Sequence, residues 1–192
     1  MKKLLKISAL IAAMALSCAF FGCSNGNSSG GSTTISFDDC TSTATEVTLS
    51  DGNWTLKYTV INDVSSLERN IKATASNGSY TFNSGSGTMA ADLSKKMNAD
   101  ELTEFNDLST DEKKQTIIKM AGCPEDATIT FNGNIVTIKA SLSTKDLQQL
   151  QSTLDLSTLP KEAIIKTNSD KTKYTITLSS EGSTMVFYIS KD

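Results

Sequence analysis

The chain has 192 residues, 38% hydrophobic and 20% charged, with a net charge of −3 and no histidine. The missing histidine removes Ser-His-Asp and Cys-His activation of a nucleophile and every histidine-ligated metal site. The acidic balance argues against nucleic acid as a partner, because phosphate backbones repel such a surface.

Met1-Lys2-Lys3-Leu4-Leu5-Lys6 opens the chain with positive charge, and an apolar run follows from Ile7 to Phe21. Gly22-Cys23-Ser24-Asn25 then breaks it. A basic start, a short apolar centre and a small residue before the break make a secretory signal peptide over residues 1–22. The run is too short to serve as a transmembrane helix. Phe20-Phe21-Gly22-Cys23 resembles the lipobox of bacterial lipoproteins, although that family usually has Leu first and a small residue second. The resemblance covers Met1 to about Asn25 and implies that Cys23 is acylated and becomes the mature N-terminus. Cys18, after Ala15-Leu16-Ser17, is a rival acylation position. Two acyl chains hold a protein stably at a bilayer where one does not. The resemblance thus implies a lipid-anchored protein of the cell or outer membrane, facing the periplasm or the cell surface.

Ser24 to Thr34 is almost entirely Ser, Asn, Gly and Thr, so residues 23–36 read as a lipidated Cys and a flexible tether. Residues 37–192 read as one domain of ordinary size with a real core. Loss of Lys2, Lys3 and Lys6 with the signal leaves 15 basic against 21 acidic residues, a net charge of −6. Cys40 and Cys123 remain, either as one disulfide or as two thiols. A bridge would close a long loop and stabilise by about 4 kcal/mol in the chain-entropy model.

Four X-Gly pairs mark tight hairpins: Asp51-Gly52, Asn77-Gly78, Asn132-Gly133 and Glu181-Gly182. The first sets Leu49 opposite Trp54 and Val47 opposite Leu56. The second sets Ala75 opposite Tyr80 and Ala73 opposite Phe82. The third sets Ile129 opposite Val136, with Phe131 on the same face. The fourth sets Leu178 opposite Met185, Ile176 opposite Phe187 and Tyr174 opposite Ile189. Every register gathers apolar residues on one face and Thr and Lys on the other, as strand alternation requires. Met185 to Ile189 is apolar on both faces, which predicts a central or covered strand.

Ser84 to Thr88 reads as a loop into a helical stretch from Met89 to Ala121. Within it Ser109 and Glu112 form a capping box, Ile117, Met120 and Ala121 a stripe, and Gly122 and Pro124 a stop. A second helix starts at Ser143, carries Leu147, Leu150 and Leu154, and ends before Pro160. The predicted fold is α+β: an antiparallel meander sheet of about eight or nine strands, curled toward a partial barrel, with helices on one face or end.

Chemistry is sparse. Asp100, Glu101, Glu104, Asp107, Asp111 and Glu112 cluster within one stretch, which reads as solvated helix starts rather than a cation site. No EF-hand spacing or phosphate loop is present, Gly85-Ser86-Gly87 lacking the later Gly and Lys. Ser94 with Lys95 or Lys96 is a pair only in sequence. No cofactor, metal or catalytic residue is expected. The leading functional expectation is a non-enzymatic binding or structural module of unknown partner. The alternative is a carrier of a small apolar ligand, in a cavity lined by Trp54, Tyr58, Phe82 and Phe131 as in lipocalins or periplasmic half-barrels. A carboxylate-based hydrolase is the third.

Overall fold

The computed structural model describes residues 35–154, 156, 159–180 and 183–192. Its strands are β1 (Ser42–Ala44), β2 (Gly52–Asn62), β3 (Ser65–Ser76), β4 (Ser79–Asp92), β5 (Thr128–Asn132), β6 (Ile135–Ser141), β7 (Ile164–Thr167), β8 (Lys173–Ser180) and β9 (Ser183–Lys191). Its helices are α1 (Ala99–Asn106), α2 (Thr110–Ala121) and α3 (Thr144–Thr153), with a 3-10 turn at Leu93–Lys95. The nine strands form one antiparallel sheet in the order β1-β7-β8-β9-β2-β3-β4-β6-β5. The sheet is open, ending on β1 and β5, and the fold is α+β as its sequence predicts.

The second and fourth hairpins form in the expected registers, Ala73↔Phe82 with Ala75↔Tyr80 and Ile176↔Phe187 with Tyr174↔Ile189. Asn77 and Gly78 have φ of 53° and 75°, both positive as a type I′ turn demands. The third register is shifted by two residues: Phe131 faces Val136 and Ile129 faces Ile138. The turn residues are therefore Gly133 and Asn134, with positive φ at Gly133. An even shift preserves the inward face, so hydrophobic patterning alone does not choose between the two registers.

The Asp51-Gly52 hairpin is not formed. Both edges of β2 are already taken, by β3 and by β9, which leaves residues 46–51 no strand to pair with. Two of their carbonyls take side-chain donors instead: the Trp54 indole donates to Ser50 O at 2.8 Å and the Tyr174 hydroxyl to Thr48 O at 2.9 Å. The turn into β3 lies at Asn62, whose side-chain oxygen accepts from the Val64 and Ser65 amides at 3.0 and 2.8 Å.

The expected loop over Ser84 to Thr88 and the helical start at Met89 are also overturned, because β4 runs unbroken to Asp92. A bulge opposite Lys72 and Ala73 inserts Asn83, so Phe82 before it and Gly85, Met89 and Ala91 after it share a face. The glycines of this stretch belong to a crowded strand. A Cβ on Gly85 would sit 2.9 Å from Asn70 O and 2.9 Å from Leu142 Cδ1.

Registers across the sheet define continuous rows. Ile165, Ile176, Phe187, Tyr58, Arg69 and Gly87 form one inner row, and Leu178, Met185, Val60, Leu67, Met89 and Ile138 another. The inner face supports two apolar clusters. One joins β2, β3, β7, β8 and β9 to Leu147 and Leu150 of α3. The other joins Met89, Ile129, Val136 and Ile138 to Phe105 of α1 and Ile117 and Met120 of α2. β9 is central, as its two apolar faces predict.

All three α-helices among the described residues begin with a reciprocal capping box: Asn98 with Glu101, Ser109 with Glu112 and Ser143 with Asp146. Gly122 closes α2 in the left-handed conformation, φ 61°.

Candidate functional site

The inner face of the sheet is where the aromatic residues named from sequence converge in part. Trp54, Tyr58 and Phe82 are all buried in the first cluster, with Tyr58 5.2 Å from the Phe187 ring and Trp54 6.4 Å from the Tyr174 ring. Phe131 is not with them; it packs 6.0 Å from Phe105 in the second cluster. These contacts fill space. A cavity of about 100 Å³ lies at the end of the first cluster, between Val47, Thr48, Leu49, Gly78, Ser79, Tyr80 and Leu156. Pockets that take drug-sized ligands run to several hundred Å³, and none of the four named aromatics lines this one.

At the centre of the inner face lies Arg69, the chain's only arginine, which sequence reasoning passed over. Its side chain is fully buried, with Cζ 5.8 Å from the Tyr58 ring centre. Gly87 is its neighbour on β4, so no side chain from that strand competes for the space. Burial pushes the Tyr58 phenol above its ordinary range, and the Arg69 charge opposes that rise. The signal was present in the sequence: Arg69 stands in phase with Leu67, Ile71, Ala73 and Ala75, all inward.

The acidic cluster has a structural use. Asp100 and Glu101 lie in the first turn of α1, and Asp111 and Glu112 in that of α2. The Ser109 hydroxyl holds the Glu112 carboxyl below the usual carboxylate range. Among the described residues no group of three or more acidic or cysteine side chains is placed to hold a metal ion. Ser94 donates to Asp92 at 2.6 Å and Lys95 to Asp63 O at 2.8 Å, so neither engages the other.

Cys40 carries a free, buried thiol, and the Cys40–Cys123 disulfide is not formed. The strand order explains this. Cys40 precedes β1 at one end of the sheet, whereas Cys123 follows α2, in the cluster at the other end. Burial pushes the Cys40 thiol up, Asp39 adds to the rise and Lys173 opposes it. Cys18, Cys23, the signal and the tether as far as Thr34 lie outside the described residues. No described helix is long and apolar enough to cross a membrane.

The chain enters the domain on the outer sheet face. Phe37 packs 5.2 Å from Tyr188 of β9, and Lys173 Nζ of β8 donates to Ser36 O at 3.0 Å and pairs with Asp39 at 3.0 Å. Comparison with protein-family models, curated proteins and solved structures returns no match for the chain.

Proposed function

We propose that the protein is a lipid-anchored cell-envelope module, acylated at Cys23, whose nine-stranded domain acts by binding or structural contact and not by catalysis. The observation that carries this reading is the Gly22-Cys23 junction between an apolar run and a Gly-, Ser- and Asn-rich stretch. It is supported by how the domain's polar groups are used, its clustered acids serving helix starts and its lone arginine lying deep between two apolar clusters. Mass spectrometry of protein extracted natively from membranes tests it. Cys23 should carry acyl chains, and the Cys23→Ser variant should move to the soluble fraction. An unmodified Cys23, or a serine variant that stays with the membrane, overturns the reading.

The alternative is a carrier of a small apolar ligand, for which the observation is the cavity of about 100 Å³ at the end of the first cluster, lined by Val47, Leu49, Tyr80 and Leu156. A co-purifying apolar mass in the same spectrum would select it.

A further inference from the structure

The outer face of the sheet differs from the helix-covered face in one respect that its Thr and Lys content hides. Ile61 and Ile164, among the most exposed large hydrophobics in the described residues at 55% and 59%, both lie on it. Val186 occupies the row between them: Ile164 pairs with Thr177, Thr177 with Val186, and Val186 with Thr59, two residues from Ile61. One row further along β9 is Tyr188, with the Phe37 ring tilted against it at 5.2 Å. Aliphatic and aromatic side chains on β7, β9 and β2 therefore form a stripe that Thr177 of β8 and Thr59 of β2 interrupt.

We propose that this stripe is a bilayer-contact surface, which holds the tethered domain with its outer sheet face against the lipid headgroups and its helices away from them. The inference rests on the anchor reading above. Its first support is where the chain outside the structure ends. The described chain begins at Ile35, and Phe37 and Lys173 fix that end of it on this same face. A Gly- and Ser-rich stretch of about a dozen residues has a span of roughly 17–21 Å, so this face is the part of the domain nearest the acyl chains.

The second support is charge. The exported chain is acidic overall, yet on this face Glu68 is paired with Lys57 at 3.1 Å, Asp39 with Lys173 and Asp192 with Lys72, while Asp38 accepts from the Ser36 hydroxyl and Lys166 is exposed. The acid-rich first turns of α1 and α2 belong to helices packed on the opposite face. Repulsion by anionic headgroups is thus weakest where the stripe lies. The third support is residue type: aromatic rings, aliphatic side chains and lysines together suit the bilayer interface, where each finds its own depth.

The test uses the acylated, full-length mature protein in vesicles of phosphatidylcholine and phosphatidylglycerol. A bimane label is placed at Ile164→Cys, at Ile61→Cys as a second reporter, and at Asp111→Cys on α2. Lipids brominated near the headgroup should quench the Ile164 and Ile61 labels several times more strongly than the Asp111 label. Equal quenching at all three positions, with the protein still sedimenting with the vesicles, overturns the orientation and leaves the anchor standing. Protein that does not sediment with the vesicles overturns both.

Discussion

Gln151 lies against Tyr80 as one residue of a neighbouring strand would. Its side-chain nitrogen donates to Tyr80 O at 2.8 Å, and its oxygen accepts from the Phe82 amide at 3.1 Å. β6 pairs with β4 only from Ser86 to Asp92, so the first half of β4 would otherwise present an open edge there. α3 covers that edge, held also by the Tyr80 hydroxyl, which donates to Leu154 O at 2.6 Å. Gln151→Ala should cost about 1–3 kcal/mol, the penalty for a buried donor and acceptor left unmade. Chemical denaturation reads the loss, and hydrogen exchange should show the Phe82 amide losing protection before its neighbours on β3.

Gly85 and Gly78 should respond to alanine for different reasons. A Cβ at Gly85 meets the Asn70 carbonyl and Leu142 at 2.9 Å, and backbone yields little, so Gly85→Ala should destabilise by about 1–3 kcal/mol through overpacking. At Gly78 a Cβ meets nothing within 4 Å, but φ is +75°. Gly78→Ala should cost about 1–2 kcal/mol from the left-handed backbone alone. Denaturation midpoints measure both. In a crystal structure only the Gly85 variant should show Leu142 displaced.

These two glycines mark the limit of what the sequence discloses. Asn77-Gly78 was legible because a type I′ turn depends on its own two residues. The capping box at Ser109 was legible for the same reason, closing within four positions, as was the helix start at Ser143, whose own box with Asp146 the structure adds. Gly85 looked like a loop residue, since its neighbour Leu142 comes from a strand end far along the chain. Residues 46–51 looked like a strand because alternation records which face a residue prefers and not whether a pairing edge is free. The third hairpin slipped by two because an even shift keeps Ile129 and Phe131 inward. Of the aromatic set, Trp54, Tyr58 and Phe82 came together and Phe131 did not, because patterning assigns a face and cannot say which of two clusters on that face a residue joins. An arginine argues by residue type for an exposed position, whereas the strand alternation of Arg69 places it inward.

Tyr58 and Tyr174 should be the late-titrating phenols. Burial raises both, with the Arg69 charge opposing the rise at Tyr58. In Arg69→Met the opposing charge is gone, so Tyr58 should titrate later still by ultraviolet difference absorbance. The linkage has one sign. The unfolded chain loses these protons near pH 10, roughly the free phenol value, while the folded chain keeps them. Their contribution to stability is present below that value and lost as pH rises from it toward the folded pKa. A denaturation series across this range should show stability falling, with both phenols ionising later in the folded protein than in the unfolded chain.

The Ser109–Glu112 box makes the opposite prediction at the acid end. Glu112 is held below the usual carboxylate range by the Ser109 hydroxyl, at 2.7 Å, and by the Ser109 amide, at 2.9 Å. A depressed carboxyl stabilises the fold above its unfolded pKa, and that contribution is lost as pH falls through the folded value. Ser109→Ala removes the hydroxyl and leaves the amide, so part of the depression should remain. The helix starting at Thr110 should therefore lose stability in the variant at neutral pH, and the difference from the parent should shrink as Glu112 protonates below about pH 4. Amide exchange at Lys113, whose N–H bonds to Ser109 O at 2.9 Å, reports the first turn directly. A difference that stayed constant from neutral pH into acid would mean that the Ser109 hydroxyl acts on the helix without Glu112.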